Sequence, residues 1–240
     1  YLKGQSAPLH FVGFSAKKLP KIRYYKRIEA LTTKNFIASC DAFFNQFEIP
    51  DVLKVDNAAT FSGTRSGKRS LSQTMIYLLN QKITPVFSVP RRPFTQASIE
   101  GNNSVFARYF WNKRTFADIA DVDMQLEWFN AASLRYTDYV RPGKAKSERA
   151  FKPKIYFLRQ IHESQTTPVQ GFINVTNEEI LLPAVWINFF VLAEWNLETE
   201  MLTVFIEQNN KLTQLTQIHF TINETTRKKL NKRGALSFCI

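Results

Sequence analysis

The sequence predicts an α/β unit built on a mixed sheet, followed by a small antiparallel all-β unit. Three observations carry this prediction. Short apolar strands alternate with helical patterns over residues 9–136. The composition shifts to Pro, Gly, Lys and Arg around residues 141–154. Beyond residue 170 come runs rich in Val, Ile, Phe and Thr, broken by turn-like Thr176-Asn-Glu, Trp195-Asn-Leu and Asn209-Asn210. The expected division is a core over residues 1–140, a basic linker over 141–165, a small β-barrel over 166–224 and a basic, solvated and mobile tail over 225–240.

In chain order, Leu9 to Phe14 and Lys21 to Ile28 read as the two strands of a hairpin, joined by a basic turn around Lys17, Lys18 and Pro20. Thr32 or Thr33 then caps a helix whose buried face is Phe36, Ile37, Cys40, Phe43, Phe44 and Phe47. Val52 to Asp56 is a short apolar strand ending on a carboxylate, with Asn57 after it. Residues 60–72, rich in Gly, Ser and basic side chains, read as a loop. A helix over 71–81, a strand over Thr84 to Val89, a helix from Ser98 to about Arg114 and another over about 121–136 complete the first unit. In the second, strands fall at Gly171 to Val175, Ala184 to Glu194, Glu200 to Gln208 and Gln214 to Thr221. There Trp186, Trp195, Phe189, Phe190 and Phe205 read as core.

Composition narrows the class. At 240 residues and 44% hydrophobic content the chain can bury one good core and a second, smaller one. The longest apolar stretch, Ile180 to Trp195, is broken by Pro183, Asn188 and Glu194, so no membrane span is expected. No targeting segment is readable, and Cys40 and Cys239 form neither a disulfide framework nor a zinc spacing, which fits a reducing cytoplasm. His10, His162 and His219 are too scattered for a histidine metal site. The net charge of +12 points to a polyanionic partner, a property shared by ribosome-associated and anionic-membrane-binding proteins.

Two segments carry chemistry. The strand delivering Asp56, and a later helix opening with Ile99-Glu100-Gly-Asn-Asn103, place one carboxylate at a strand end and one on a first helical turn. Such acids can hold divalent magnesium or manganese, whose work is to activate an attacking hydroxyl and neutralise charge on a phosphoryl transition state. Val55-Asp-Asn-Ala-Ala-Thr-Phe61 resembles the second-aspartate motif of the integrase and transposase family. Phe87-Ser-Val-Pro-Arg-Arg-Pro-Phe-Thr-Gln-Ala-Ser-Ile-Glu-Gly-Asn-Asn103 resembles its glutamate motif, the more specific of the two.

The resemblance covers roughly residues 9–140. It implies a ribonuclease H-like core, an SH3-like barrel after it, and an Asp-Asp-Glu triad with a two-metal Mg2+ or Mn2+ site. Asp56 and Glu100 would be the catalytic metal ligands, DNA the substrate and a homo-oligomer the working state. No membrane would be involved, and the location would be cytoplasmic, nucleoid-associated in a bacterial host. Lys68, Arg69, Arg91, Arg92, Asn103 and Arg108 are the candidates for DNA contact.

The chain departs from the family in three places. Ala58 stands where the family usually has Gly. The interval from Asp56 to Glu100 is longer than in retroviral members, with the Ser62 to Ser72 loop placed to absorb the difference. The first Asp of the triad has no counterpart, since residues 1–31 contain no Asp. The expectation is that it precedes Tyr1 on a missing first strand, which would leave this piece inactive by itself. The alternative is a catalytically decayed, DNA-binding or assembly relative in which the acid has been lost.

Overall fold

The computed structural model describes residues 8–16, 22–58, 61, 67–90, 97–135, 151–164 and 170–233. The protein is mixed α/β, and its chain forms two compact units: Tyr1–Glu48 with Pro93–Lys146, and Ile49–Arg92 with Ser147–Ile240.

The first unit is built on the hairpin of β1 (His10–Ser15) and β2 (Arg23–Ile28), antiparallel with Gly13 opposite Tyr25. Alternation along the strands gives the hairpin two apolar faces. On one, Phe14 stacks on Phe43 of helix α1 (Thr33–Gln46) at 4.7 Å and Tyr24 meets Phe47, the residue that caps the end of that helix. Thr32 caps α1 by accepting from the Asn35 backbone N–H at 3.2 Å. The other face holds Phe11 and Tyr25 against Phe106, Phe110 and Phe129.

Phe106 ends helix α2 (Ala97–Phe106), Phe110 sits on the π turn Ala107–Trp111 that follows, and Phe129 is on helix α3 (Ile119–Leu134). Gly13 is required here, since a Cβ on it would lie 2.7 Å from the Tyr25 ring. Helix α3 also finishes the exposed edge of β2. The buried Asn130 side chain accepts from Tyr25 N–H at 2.9 Å and donates to Tyr25 C=O at 2.8 Å, standing in for a neighbouring strand.

The second unit holds a six-stranded mixed sheet in the order β11-β10-β9-β5-β4-β3. Strands β3 (Val52–Val55), β4 (Thr84–Phe87) and β5 (Lys154–Gln160) run parallel. Strands β9 (Phe190–Asn196), β10 (Met201–Gln208) and β11 (Lys211–His219) continue it antiparallel. Between β3 and β4 runs helix α4 (Gln73–Asn80), capped by Ser72, whose hydroxyl accepts from Met75 N–H at 3.1 Å. A separate three-stranded sheet pairs β6 (His162–Glu163), β7 (Gln170–Val175) and β8 (Glu178–Pro183). Helix α5 (Glu224–Arg233) follows the last strand, started by Asn223, whose side chain accepts from Thr226 N–H at 2.8 Å.

The structure corrects four expectations. The stretch expected as a linker over 141–165 contains β5 and β6, because Ile155 and Phe157 bury one face of a strand whose charged residues hide its alternation. Among the described residues the strands close no barrel: β9, β10 and β11 extend the sheet of β3, β4 and β5 instead. The basic tail is helical through residue 233, stabilised by its cap and by the Arg227 pair with Glu200. Trp195 is core, but Phe189 and Phe190 are exposed.

Candidate functional site

Open α/β sheets place reactive groups beyond the carboxyl ends of their parallel strands, where backbone direction reverses and side chains from adjacent strands converge. In the second unit those ends deliver Asp56 and Asn57 from β3, Ser88 from β4 and Arg159 from β5. The β3–β4 ladder extends one residue further, through Ser88 N–H donating to Val55 C=O at 3.0 Å. This bond sets Ser88 beside Asp56.

The Asp56 carboxylate is exposed, and its Oδ1 accepts from the Asn57 backbone N–H at 2.7 Å. The Ser88 hydroxyl donates to the same oxygen at 3.4 Å, the long edge of hydrogen-bond range. The carbonyl of Ser88 receives two donors, the Asn57 side-chain amide and Arg159 Nη1, the latter at 3.2 Å. Both lone pairs of that carbonyl are engaged, which fixes Asn57 and the strand end carrying Asp56.

Arg159 is a residue that motif reading does not reach. It is 8% exposed, with Nε donating to Asn174 C=O at 2.8 Å, Nη1 also donating to Leu158 C=O at 2.8 Å, and the guanidinium 5.1 Å from the Phe157 ring centroid. Burial pushes its pKa down to about 10, still far above neutrality, so the cation is retained. The available signal was positional. Residues 155, 157 and 159 share one face of β5, and an arginine in register with Ile155 and Phe157 is a charge aimed inward.

Glu100 belongs to the first unit, on the first turn of α2, where its carboxylate is exposed and makes no hydrogen bond or ion pair among the described residues. The amides after it are held from the hairpin: Arg23 Nε donates to Asn102 Oδ1 at 2.6 Å, and the Tyr25 hydroxyl to Asn103 Oδ1 at 3.2 Å. Burial pushes the Tyr25 hydroxyl up to about 12, so it stays a donor at neutral pH. Asn103, read as a DNA contact, therefore has a partner within the fold. Arg108 is exposed on the π turn.

The two basic residues at 68 and 69 part company. Lys68 is exposed, and its backbone carbonyl accepts from the Asn223 side chain at 2.6 Å. Arg69 makes two bonds of 2.5 Å to the two oxygens of Glu178 and lies over the Phe220 ring at 4.7 Å. Its guanidinium is spent inside the unit, holding the loop to the β7–β8 turn. Arg91 and Arg92 lie outside the described residues.

Asp56 and the Ser88 hydroxyl in the second unit, and separately Glu100 in the first, are hard oxygen donors, a chemistry that would suit magnesium or manganese rather than a softer metal. Among the described residues no group of three or more His, Cys, Asp and Glu side chains gathers as a metal centre, and no helix is long and apolar enough to cross a membrane. No family model matches the chain, and no curated protein matches its sequence.

Proposed function

We propose that this chain is the core of an enzyme that cuts and joins DNA by divalent-metal-dependent phosphoryl transfer, on a ribonuclease H-like fold of the integrase and transposase type. The observation that carries the proposal is the strand end at Asp56: an exposed carboxylate follows a parallel strand, with Asn57 and Ser88 fixing its neighbourhood. Glu100, exposed on the first turn of α2 and followed by two anchored amides, supports the second half of the motif. The charge of +12 supports a polyanionic substrate.

In this reading Asp56 and Glu100 hold Mg2+ or Mn2+. The bound metal lowers the pKa of the attacking water or DNA 3′-hydroxyl and offsets charge in the in-line transition state. Asn57 and Ser88 keep Asp56 oriented, while exposed Lys68 and Arg108 meet the phosphate backbone. The working state is a homo-oligomer acting in the cytoplasm, on the nucleoid in a bacterial host.

The test is metal-dependent nicking and strand transfer by the complete encoded protein and by its Asp56→Asn and Glu100→Gln variants. Each substitution is expected to lower the rate by about 10²-fold or more. Full activity in either variant removes that acid from the mechanism. The charge of +12 suits equally a second reading, a DNA-binding or assembly relative without catalysis. That reading predicts DNA binding without metal-dependent cutting in the same assay.

A further inference from the structure

Arg159 is a buried cation whose acceptors are all backbone carbonyls. It takes Asn174 C=O at 2.8 Å, Leu158 C=O at 2.8 Å and Ser88 C=O at 3.2 Å, with no carboxylate among its partners. Among the described residues its Nη2 donates to no acceptor, and it is not among the polar atoms sealed from solvent without a bond. Buried charges are ordinarily paired, because carbonyl dipoles alone recover only part of the lost hydration. The other arginine of this unit with a partly buried guanidinium, Arg69, has its carboxylate in Glu178. A guanidinium fixed through two nitrogens, with donors left over at the end of parallel strands, is preorganised for a tetrahedral oxyanion.

We propose that Arg159 is the anion-receiving residue of the strand-end cluster, its guanidinium taking an oxygen of a phosphate-type oxyanion bound beside Ser88. That the oxyanion is a DNA phosphate rests on the proposed function; the capture of an oxyanion does not. Because Arg159 and Asn57 share the Ser88 carbonyl, a phosphate held here lies at the strand end that carries Asp56.

The experiment uses the whole chain in the presence of a chelator, so that metal takes no part. The side-chain Nε–Hε resonance of Arg159, identified by its loss in Arg159→Met, is followed while inorganic phosphate or a short single-stranded oligodeoxynucleotide is added. Chloride at equal ionic strength serves as the control. The expected result is a saturable shift of that resonance with both probes in the native chain, and, by calorimetric titration of the same probes, an affinity about tenfold or more weaker in Arg159→Met. Arg159→Lys keeps part of the calorimetric affinity for phosphate.

An Arg159→Met chain that binds phosphate as well as the native one overturns the proposal, as does an equal shift with chloride. Should Arg159→Met not fold, the Arg159→Lys spectrum identifies the resonance, and an unmoved signal at saturating phosphate overturns it. A shift with phosphate alone upholds oxyanion capture and overturns the DNA assignment. The two proposals fail separately. Phosphate capture with full cutting activity in Asp56→Asn removes the metal mechanism alone, whereas a silent Arg159 with both acids required removes this inference alone.

Discussion

Asn130 in the first unit and Arg159 in the second are both 8% exposed, and both spend their hydrogen bonds on backbone. Asn130 closes its account within the fold, since its oxygen and its nitrogen both meet Tyr25 where a neighbouring strand would otherwise pair. Arg159 does not: its three bonds use Nε and Nη1 only, and among the described residues its charge has no counterion. Equal burial therefore marks two different things. A buried amide paired in both directions with one backbone residue is a piece of architecture, whereas a buried cation held by neutral carbonyls alone is the kind of group that calls for a further partner.

Asn130→Ala puts the first half of this contrast at risk and carries the largest expected stability effect. It leaves the Tyr25 N–H and C=O without partners at a buried edge, and should cost about 2–4 kcal/mol in urea denaturation. A loss below about 1 kcal/mol would mean that water replaces the amide and that the edge is not closed by α3. Arg69→Met comes next. It strands Glu178, 19% exposed at its side chain, and after discounting for solvent screening should cost about 1–2 kcal/mol. Salt sensitivity of DNA binding should not change in this variant, because the guanidinium is already occupied.

Acid titration sharpens the same point. The Arg69 guanidinium holds the Glu178 carboxyl below its ordinary value of 4.5, against the opposing effect of burial. The folded group thus binds its proton later than the unfolded one as pH falls. Its stabilisation is complete above the unfolded value and is lost as pH drops through the lower folded value. Stability curves of the native chain and Glu178→Gln should converge in that acid window, and parallel curves would deny the pair its role. The smallest effect is expected at Lys68, where Ala should lower the slope of log affinity against log salt for duplex DNA by about 0.9.

Much of the local structure was legible because it is written in short-range chemistry. Thr32 marks its helix by capping, and the Phe36, Phe43, Phe47 spacing marks the buried face of α1. Asp56 could be placed at a strand end because Val52 to Val55 is apolar and Asn57 follows. What depends on distant pairing was not legible. Lys154 and Arg159 concealed β5, so its seat beside β4, and with it the approach of Arg159 to Ser88, had no signature. Arg69 read as a free loop cation because Glu178 lies 109 residues further along the chain. Phe189 and Phe190 read as core by composition, yet they follow the short 3-10 turn Ala184–Trp186, and both rings lie exposed.

The proposed mechanism requires Asp56 and Glu100 to serve one metal ion. Manganese titrated into the isotopically labelled protein tests it, because the bound paramagnetic ion broadens resonances close to it. Substoichiometric Mn2+ is expected to erase the signals of residues 56–57 and of residues 100–103 together, and Asp56→Asn to protect both sets. Broadening confined to one set, or left intact by that substitution, would contradict it.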